Sequence, residues 1–245
     1  MTDREHWRLL LTWDGEPGWN MALDEALLTS ADPRPTLRFY TWKPHALSLG
    51  YFQRWRELAD VARDSTVVRR FSGGGAIHHA DELTFSIAAP DTHALFRGEV
   101  RRSYERVHAL LARTFAEHGV RAELRGALAL RSDRPESGMC FHRSTPLDLA
   151  WDGRKGVGSA QRRRGGRVLH HGSIKLGVTP LEEGVAALRP HAPRLEAASL
   201  AGEIRGAFER ELACDFALES PTAEECAHAE RRAAFYRSEG FVRRR

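Results

Sequence analysis

Three stretches of this chain place residues that could do chemistry beside glycines that would let a ligand approach. One is a run of three glycines after Ser72, flanked by Arg70 and His79. Because glycine lacks a Cβ, such a loop allows backbone N–H groups to come close to a polar ligand. The other two stretches carry Cys140, after Ser-Gly-Met, and Lys155, before Gly-Val-Gly-Ser-Ala-Gln. A plain glycine-rich turn would explain the first stretch equally well if it stood alone.

Cys140 and Lys155 are a candidate nucleophile and its activating cation. A nearby ammonium favours thiolate over thiol, and the same ammonium can polarise a carbonyl oxygen. Of the 37 lysines and arginines, only Lys43, Lys155 and Lys175 are lysine. A lysine among small residues therefore indicates a specific role for its ammonium group more than general basicity. Taken singly, Cys140 also fits a small core residue and Lys155 a solvated strand residue.

Composition limits the class of protein. At 245 residues and 42% hydrophobic, the chain can bury a sizeable core in one large domain or two small ones. It has no apolar run of about 18 residues and its N-terminus is charged, so we expect a cytoplasmic protein without a membrane span or secretory signal. Its three cysteines are odd in number and widely spaced, which indicates neither a disulfide framework nor a metal site. A formal charge of +4 favours acidic partners without requiring nucleic acid.

The spacing of apolar residues, together with turn signals, predicts an α+β fold with a mixed β-sheet core flanked by helices. We expect a single catalytic domain over 1–245 whose C-terminal part, from about residue 180, is helical. Helices are predicted over 21–31 with Asn20 as N-cap, over 54–63, and over 100–118. Cys140 is placed on a short strand, and Cys214 and Cys226 in helical segments. Predicted strands cover 7–14, 37–42, 46–50, 66–70, 83–89, 138–141, 147–151, 154–160 and 168–176.

Five motifs resemble, in order, those of the biotin/lipoate A/B protein ligase superfamily. They are Asn-Met-Ala-Leu-Asp-Glu-Ala-Leu-Leu at 20–28, Leu-Ser-Leu-Gly-Tyr-Phe-Gln at 47–53, Arg-Arg-Phe-Ser-Gly-Gly-Gly-Ala at 69–76, Gly-Val-Gly-Ser-Ala-Gln at 156–161 and His-Gly-Ser-Ile at 171–174. Several ordered motifs are far more specific than one glycine loop. The resemblance implies the catalytic-domain fold of that superfamily.

Further motifs resemble the branch of cysteine-dependent octanoyltransferases of lipoate biosynthesis. Glu-Leu-Thr-Phe-Ser at 82–86 is similar to a motif of that branch, and so is a Cys-Phe pair at 140–141 upstream of Gly-Arg-Lys at 153–155. The resemblance implies that Cys140 takes an octanoyl group from octanoyl-acyl carrier protein as a thioester. A lipoyl-domain lysine, of the glycine-cleavage H protein or a 2-oxoacid dehydrogenase E2 subunit, then receives the group as an amide. Lys155 would lower the pKa of the thiol and orient the acyl carbonyl.

The same resemblance assigns the substrate-binding residues, and it implies neither a cofactor nor a metal because a thioester is already activated. Residues expected to bind substrate are Arg70, Ser72, Gly73, Gly74, Gly75, His79, Gly158, Ser159, Ala160, His171 and Gly172.

Three other functions remain open at this stage. An octanoyl amidotransferase between lipoyl domains would use a similarly placed cysteine. An ATP-dependent lipoate-protein ligase would require ATP and magnesium. A non-catalytic lipoyl-domain or RNA-binding module would use the arginine-rich turn at 162–167 and dispense with Cys140, although such turns are usually just solvated. We expect a monomer that binds no nucleic acid, with acceptor and chain-length preference left open.

Overall fold

The structure, a computed structural model, describes residues 4–245. Residues 1–3, which begin the segment in which we expect no secretory signal, lie outside that range. Within it, the chain forms five α-helices, at Pro17–Thr29 (α1), Val100–Ala116 (α2), Ala197–Glu211 (α3), Ala223–Arg237 (α4) and Glu239–Val242 (α5). Its strands are Glu5–Gly15 (β1), Thr36–Trp42 (β2), Ala46–Leu49 (β3), Thr66–Arg69 (β4), Ile77–His79 (β5), Glu82–Pro90 (β6), Glu123–Leu124 (β7), Leu149–Trp151 (β8), Arg154–Arg164 (β9), Arg167–Lys175 (β10) and Cys214–Glu219 (β11).

Two sheets organise the described residues. The large one has eight strands in the order β11-β1-β2-β6-β10-β9-β8-β7, and the small one has the order β4-β3-β5. In the large sheet β1 pairs in parallel with β11 and β2, whereas the other neighbours are antiparallel. The predicted mixed sheet flanked by helices is confirmed.

The large sheet is covered by helices on both faces. Successive side chains of a strand point to opposite faces. Leu9 and Val168 accordingly pack into the apolar core that α2 and α3 complete, while their neighbours Leu10 and Leu169 pack with residues of α1. Because both faces are covered, the central strands β2, β6 and β10 are buried along almost their whole length.

The first helix begins earlier than its sequence signals suggest. Pro17 occupies the first turn, and the Glu16 side chain caps the helix by accepting from Trp19 N–H. Asn20, the predicted N-cap, lies inside the helix and is fully buried. Its amide donates to the carbonyls of Gly15 and Thr41 instead, so it joins the helix to the ends of β1 and β2.

Two other predicted helical segments differ from the structure. Over 54–63 there is a single 3-10 turn, Trp55–Glu57, and the Trp55 N–H donates across the fold to Arg245 O. Beyond residue 180, the chain holds α3 to α5 but also β11, which pairs with β1 and begins at Cys214. Pairing with an edge strand distant in sequence overrides local propensity there. Cys226 does lie in a helix, α4.

None of the helices in residues 4–245 combines the length and the apolar character that crossing a bilayer requires.

A buried ion pair holds α4 to the first strand. Arg8 of β1 is fully buried, and its guanidinium donates to both carboxylate oxygens of Glu225, at 2.8 and 2.9 Å. Glu225 also closes a capping box with Thr222 at the start of α4. One carboxylate therefore both begins the helix and anchors it to the sheet.

Removing Arg8 should destabilise the fold because Glu225 would stay buried without its cation. We expect Arg8→Ala to lower the free energy of unfolding by about 3–5 kcal/mol, measured by urea denaturation. Arg101→Ala is the control, since Arg101 pairs with Glu105 on the exposed face of α2 and should cost less than about 1 kcal/mol. Equal losses in the two variants would contradict this role for the pair.

Candidate active site

Cys140 lies where the end of the glycine loop, residues 73–76, meets residues 138–140. The N–H of Cys140 donates to Ala76 O at 2.6 Å, and the N–H of Ala76 donates to Gly138 O at 2.9 Å. Only one bridge, between Ala76 and Met139, joins the two segments, and a 3-10 turn, Cys140–His142, follows. The strand predicted at 138–141 is wrong because the chain turns away at the cysteine after that bridge.

Two glycines allow the loop to approach this closely. A Cβ at Gly75 would lie 2.8 Å from the backbone N and Cα of Cys140, which cannot move without displacing the cysteine. A Cβ at Gly50, the residue that follows β3, would lie 1.9 Å from Gly74 O. Gly74 itself has φ +96°, a conformation that glycine adopts without strain.

Lys155 reaches the cysteine from the neighbouring strand β9. Its Nζ lies 3.4 Å from Cys140 Sγ, 2.9 Å from Cys140 O and 2.9 Å from Asp148 Oδ2. The lysine is 1% exposed and Asp148 is also buried. An ammonium has three N–H donors, and these three contacts account for them. The structure therefore brings the two predicted catalytic residues into direct contact.

The charge of Lys155 is held by its surroundings. Burial by itself lowers the pKa of a lysine, but the charges of Cys140 and Asp148, together with their hydrogen bonds, outweigh it and raise the pKa of Lys155. The side chain stays an ammonium at neutral pH. It acts there as a fixed cation beside the sulfur and not as a base.

Arg70 shapes the glycine loop from inside the protein. Its guanidinium donates to the carbonyls of Gly73 and Gly75, at 2.8 and 2.7 Å, and to Ser48 O at 2.9 Å. The N–H groups of residues 73–75 have no hydrogen-bond partner among residues 4–245. Burial lowers the pKa of Arg70, and the charge of Cys140 opposes that shift.

His171 stands between a serine and a carboxylate. Its Nε2 lies 2.6 Å from Ser72 Oγ, and its Nδ1 lies 3.1 Å from Asp24 Oδ2. Asp24 is fully buried and also pairs with Arg38 at 2.7 Å. Its pKa is lowered, since hydrogen bonds and charge from His171 and Arg38 outweigh the effect of burial. Ser72 and His171 therefore tie the loop to α1 and β10.

His79, on β5, also stands between a serine and a carboxylate. Its Nε2 lies 2.7 Å from Ser48 Oγ and its Nδ1 lies 2.5 Å from Glu82 Oε1. The Trp42 ring stacks on the imidazole, with 3.8 Å between ring centroids. Burial lowers the pKa of His79 despite the neighbouring carboxylate. The imidazole is thereby fixed in both position and orientation.

A cavity lies between the two sheets, and the cysteine is part of its wall. It encloses about 410 Å³ of empty space, including space open to solvent. Of the predicted site residues, its walls contain Cys140, Arg70, Gly73, Gly74, His79, Gly158, Ser159, Ala160, His171 and Gly172. Lys155, Ser72 and Gly75 stand behind these walls and contact them. Met21, Tyr40, Trp42, Ser48, Ile77, Thr84 and Ser173 also contribute and were not predicted.

Sequence reasoning missed the buried charges that support the walls. Lys175 contacts Glu82 at 2.8 Å and also pairs with Glu182. The scarcity of lysine that pointed to Lys155 applied equally to Lys175. Asp24 and Glu82 carried a signal too, since each belongs to a motif on which the family resemblance rests. Asp148 carried no such signal.

Comparison with known proteins places this geometry in a family. The profile of the lipoyl protein ligase A/B catalytic domain matches residues 16–199. Octanoyltransferase LipM of an Exiguobacterium species is 42% identical over 187 residues, and that of Moorella thermoacetica is 41% identical over 179. Each match covers 70% of this chain and 66% of the relative, just under two thirds of its length.

A solved structure shares the fold. A bi-partite lipoate protein ligase from Thermoplasma acidophilum superposes with a TM-score of 0.77 and 21% identity, over 98% of this chain and 96% of that one. Since the family profile covers most of the sequence, the chain belongs to the lipoyl protein ligase A/B catalytic domain family. The superfamily resemblance seen in the sequence motifs is confirmed.

Gly158 offers a way to separate the lysine from the cysteine. A Cβ at this position would lie 2.9 Å from Lys155 Cε and 3.1 Å from Nζ, the mobile end of a flexible side chain. We expect Gly158→Ala to displace the ammonium and to slow alkylation of Cys140 by iodoacetamide at pH 7 about tenfold, since less thiolate is present. Mass spectrometry of the Cys140 peptide measures the rate.

Gly202→Ala is the matched control because a Cβ at Gly202, on α3, meets nothing within 4 Å. Alkylation of Cys140 should keep its wild-type rate in this variant. If Gly158→Ala also keeps that rate, the contact between Lys155 and Cys140 does not control the reactivity of the thiol.

Proposed function

We propose that this chain is an acyltransferase that moves an octanoyl group from octanoyl-acyl carrier protein to the lysine of a lipoyl domain. The group would be held in between as a thioester on Cys140. Acceptors would be the glycine-cleavage H protein or E2 subunits, and the step would belong to lipoate biosynthesis. The names of the relatives support the octanoyl group and the transfer.

One observation carries the proposal. The Cys140 sulfur lies at the wall of a largely apolar cavity and 3.4 Å from a buried ammonium that is itself paired. An ATP-dependent ligation needs no such nucleophile, since a nucleotide activates the acid there. A thiolate at the wall of a largely apolar cavity is suited to covalent transfer of an acyl group from a thioester.

The first half-reaction follows from this arrangement. The Cys140 thiolate attacks the carbonyl carbon of the donor thioester, and the carbon–sulfur bond to the carrier breaks. The carrier leaves as a thiolate and takes a proton from solvent, while Cys140 becomes an uncharged thioester. Lys155 stabilises the attacking thiolate before the step. Its N–H toward Sγ becomes available as the sulfur loses its charge.

Donors for the acyl oxygen come from the glycine loop. Arg70 holds the carbonyls of Gly73 and Gly75, and the N–H groups of residues 73–75 have no partner in the described part of the chain. Backbone N–H groups fixed in this way stabilise the negative oxygen of a tetrahedral intermediate. Met21, Trp42 and Ile77 line the cavity and would contact the alkyl chain.

The second half-reaction releases the product. A neutral lysine amine of the lipoyl domain attacks the Cys140 thioester, an amide bond forms, and the carbon–sulfur bond breaks. The amine gives its proton to solvent, and the thiolate returns to its place beside Lys155. Both steps exchange one acyl bond for another, so the proposal includes neither ATP nor a metal ion.

Incubation with octanoyl-acyl carrier protein should acylate Cys140. Intact-protein mass spectrometry is expected to show one octanoyl group on the wild type and none on Cys140→Ser. Cys226→Ser is the matched control, because Cys226 is partly exposed on α4, away from the cavity, and should still form the adduct.

The alternatives predict other outcomes of the same experiment. A ligase would give no adduct and would modify a lipoyl domain only with free acid and ATP. An amidotransferase would be acylated by octanoylated H protein but not by the carrier. Either result would overturn the proposed donor.

Removing the lysine should shift the reactivity of Cys140 to higher pH. We expect Lys155→Ala to need a pH at least about one unit higher for half-maximal alkylation, since one unit corresponds to only about 1.4 kcal/mol of lost interaction. Lys155→Ala leaves the Asp148 carboxylate buried without its cation. The double variant Lys155→Ala/Asp148→Asn controls for this effect and should show a shift as well. An unchanged profile in both variants would remove Lys155 from this role.

A further inference from the structure

Five exposed arginines form a surface beside the glycine loop, which we call the arginine surface. They come from three separate parts of the chain: Arg54, Arg56, Arg162, Arg244 and Arg245. None of them lies within ion-pair distance of a carboxylate in residues 4–245, whereas the adjacent Arg243 pairs with Glu239 at 3.1 Å. Arginines that the fold leaves unpaired and clustered create a local positive potential.

Two aromatic rings lie at the centre of this surface. The guanidinium of Arg244 lies 4.0 Å from the Tyr51 ring centroid, and that of Arg162 lies 5.9 Å from it. Arg245 lies 5.4 Å from the ring of Phe52, which is 63% exposed. The neighbouring Arg244 lowers the pKa of Tyr51, and the charges of Arg162 and Arg245 add to this effect. The rings hold the cations in place without neutralising them.

The arginine surface also contains an open depression. The N–H of Trp55 donates to Arg245 O at 2.8 Å, which brings the C-terminal residues against the turn that carries Arg54 and Arg56. Those three arginines line a shallow depression with about 630 Å³ of empty space, including open solvent. Guanidinium groups around a depression are suited to a phosphate, which they bind in bidentate fashion.

This surface is continuous with the candidate active site. The N–H of Tyr51 donates to Ser72 O at 2.8 Å, and Phe52 is the side chain nearest to the open side of Gly73. Gln53 donates to Gly138 O at 2.8 Å, two residues before the cysteine. Arg162 follows, on β9, the residues that line the cavity. A ligand on the arginine surface therefore borders both the glycine loop and the approach to Cys140.

We propose that the arginine surface is where the acidic acyl carrier docks, with the phosphate of its phosphopantetheine arm held by the arginines while the thioester enters the cavity. This inference rests on the proposed function and adds the donor's binding site to it. The donor fits better than the acceptor because its arm carries an anion. The reacting side chain of a lipoyl domain is a lysine, whose charge the arginines would repel.

The test uses two variants of the full chain with the same loss of charge. The first replaces Arg56, Arg162 and Arg244 with glutamine. The control replaces Arg121, Arg194 and Arg231, which are also exposed and form no ion pair within residues 4–245. Acylation of Cys140 is followed by intact mass, with octanoyl-acyl carrier protein or with octanoyl-N-acetylcysteamine, a thioester that has neither protein nor phosphate.

We expect the first variant to raise the KM for the carrier donor about tenfold or more and to reduce its dependence on salt. Its reaction with octanoyl-N-acetylcysteamine should stay within about twofold of wild type, and the control should change neither rate by more than that. Octanoyl-phosphopantetheine should show part of the KM increase, because the arginines bind the phosphate of the arm. No increase with this donor would overturn the phosphate contact.

Several results would overturn the inference. An unchanged KM for the carrier donor would remove the surface from donor binding. A raised KM for the lipoyl-domain acceptor, with the donor unaffected, would assign the surface to the acceptor. Failure of wild-type protein to form an adduct with any thioester would instead refute the proposed function and with it the docking of a donor.

Discussion

The buried ammonium of Lys155 is the constraint on which the rest of the site depends. A charged group can be buried at this depth only if other groups satisfy all of its donors. Asp148, just before β8, and the carbonyl and sulfur of Cys140 fill that role. The ion pair fixes β8 against β9, and the carbonyl contact fixes the turn that presents the thiol. The position of the thiol and the satisfaction of a buried charge therefore depend on the same contacts.

The same principle builds the walls of the cavity. On one side Asp24 is shared by Arg38 and His171, and on the other Glu82 is shared by His79 and Lys175. Each carboxylate joins elements from different parts of the chain. Removing one partner of such a pair leaves an uncompensated charge, so these side chains have little freedom to move. The supports of the cavity are thus buried ion pairs, although its lining is largely apolar.

Local sequence predicted most of the elements but few of their partners. Strands such as β2 and β6, and the long helix α2, were predicted because periodicity follows directly from burial of one face or of both. The turn at Cys140 and the strand β11 were not, since each exists through hydrogen bonds to residues far away in sequence, Ala76 in one case and β1 in the other. The proximity of Lys155 to Cys140 was inferred through family resemblance and not from spacing.

Alone, the sequence determined the family, the glycine loop and the identity of the two central residues, because ordered motifs and a scarce residue type are readable without coordinates. Only tertiary structure decided that Asp148 holds the lysine, that Arg70 turns the loop carbonyls inward, and that Gly158 leaves room for the ammonium. Those relations depend on distances of a few ångströms between segments that fold together from different parts of the chain. Residue type and order carry no record of such distances.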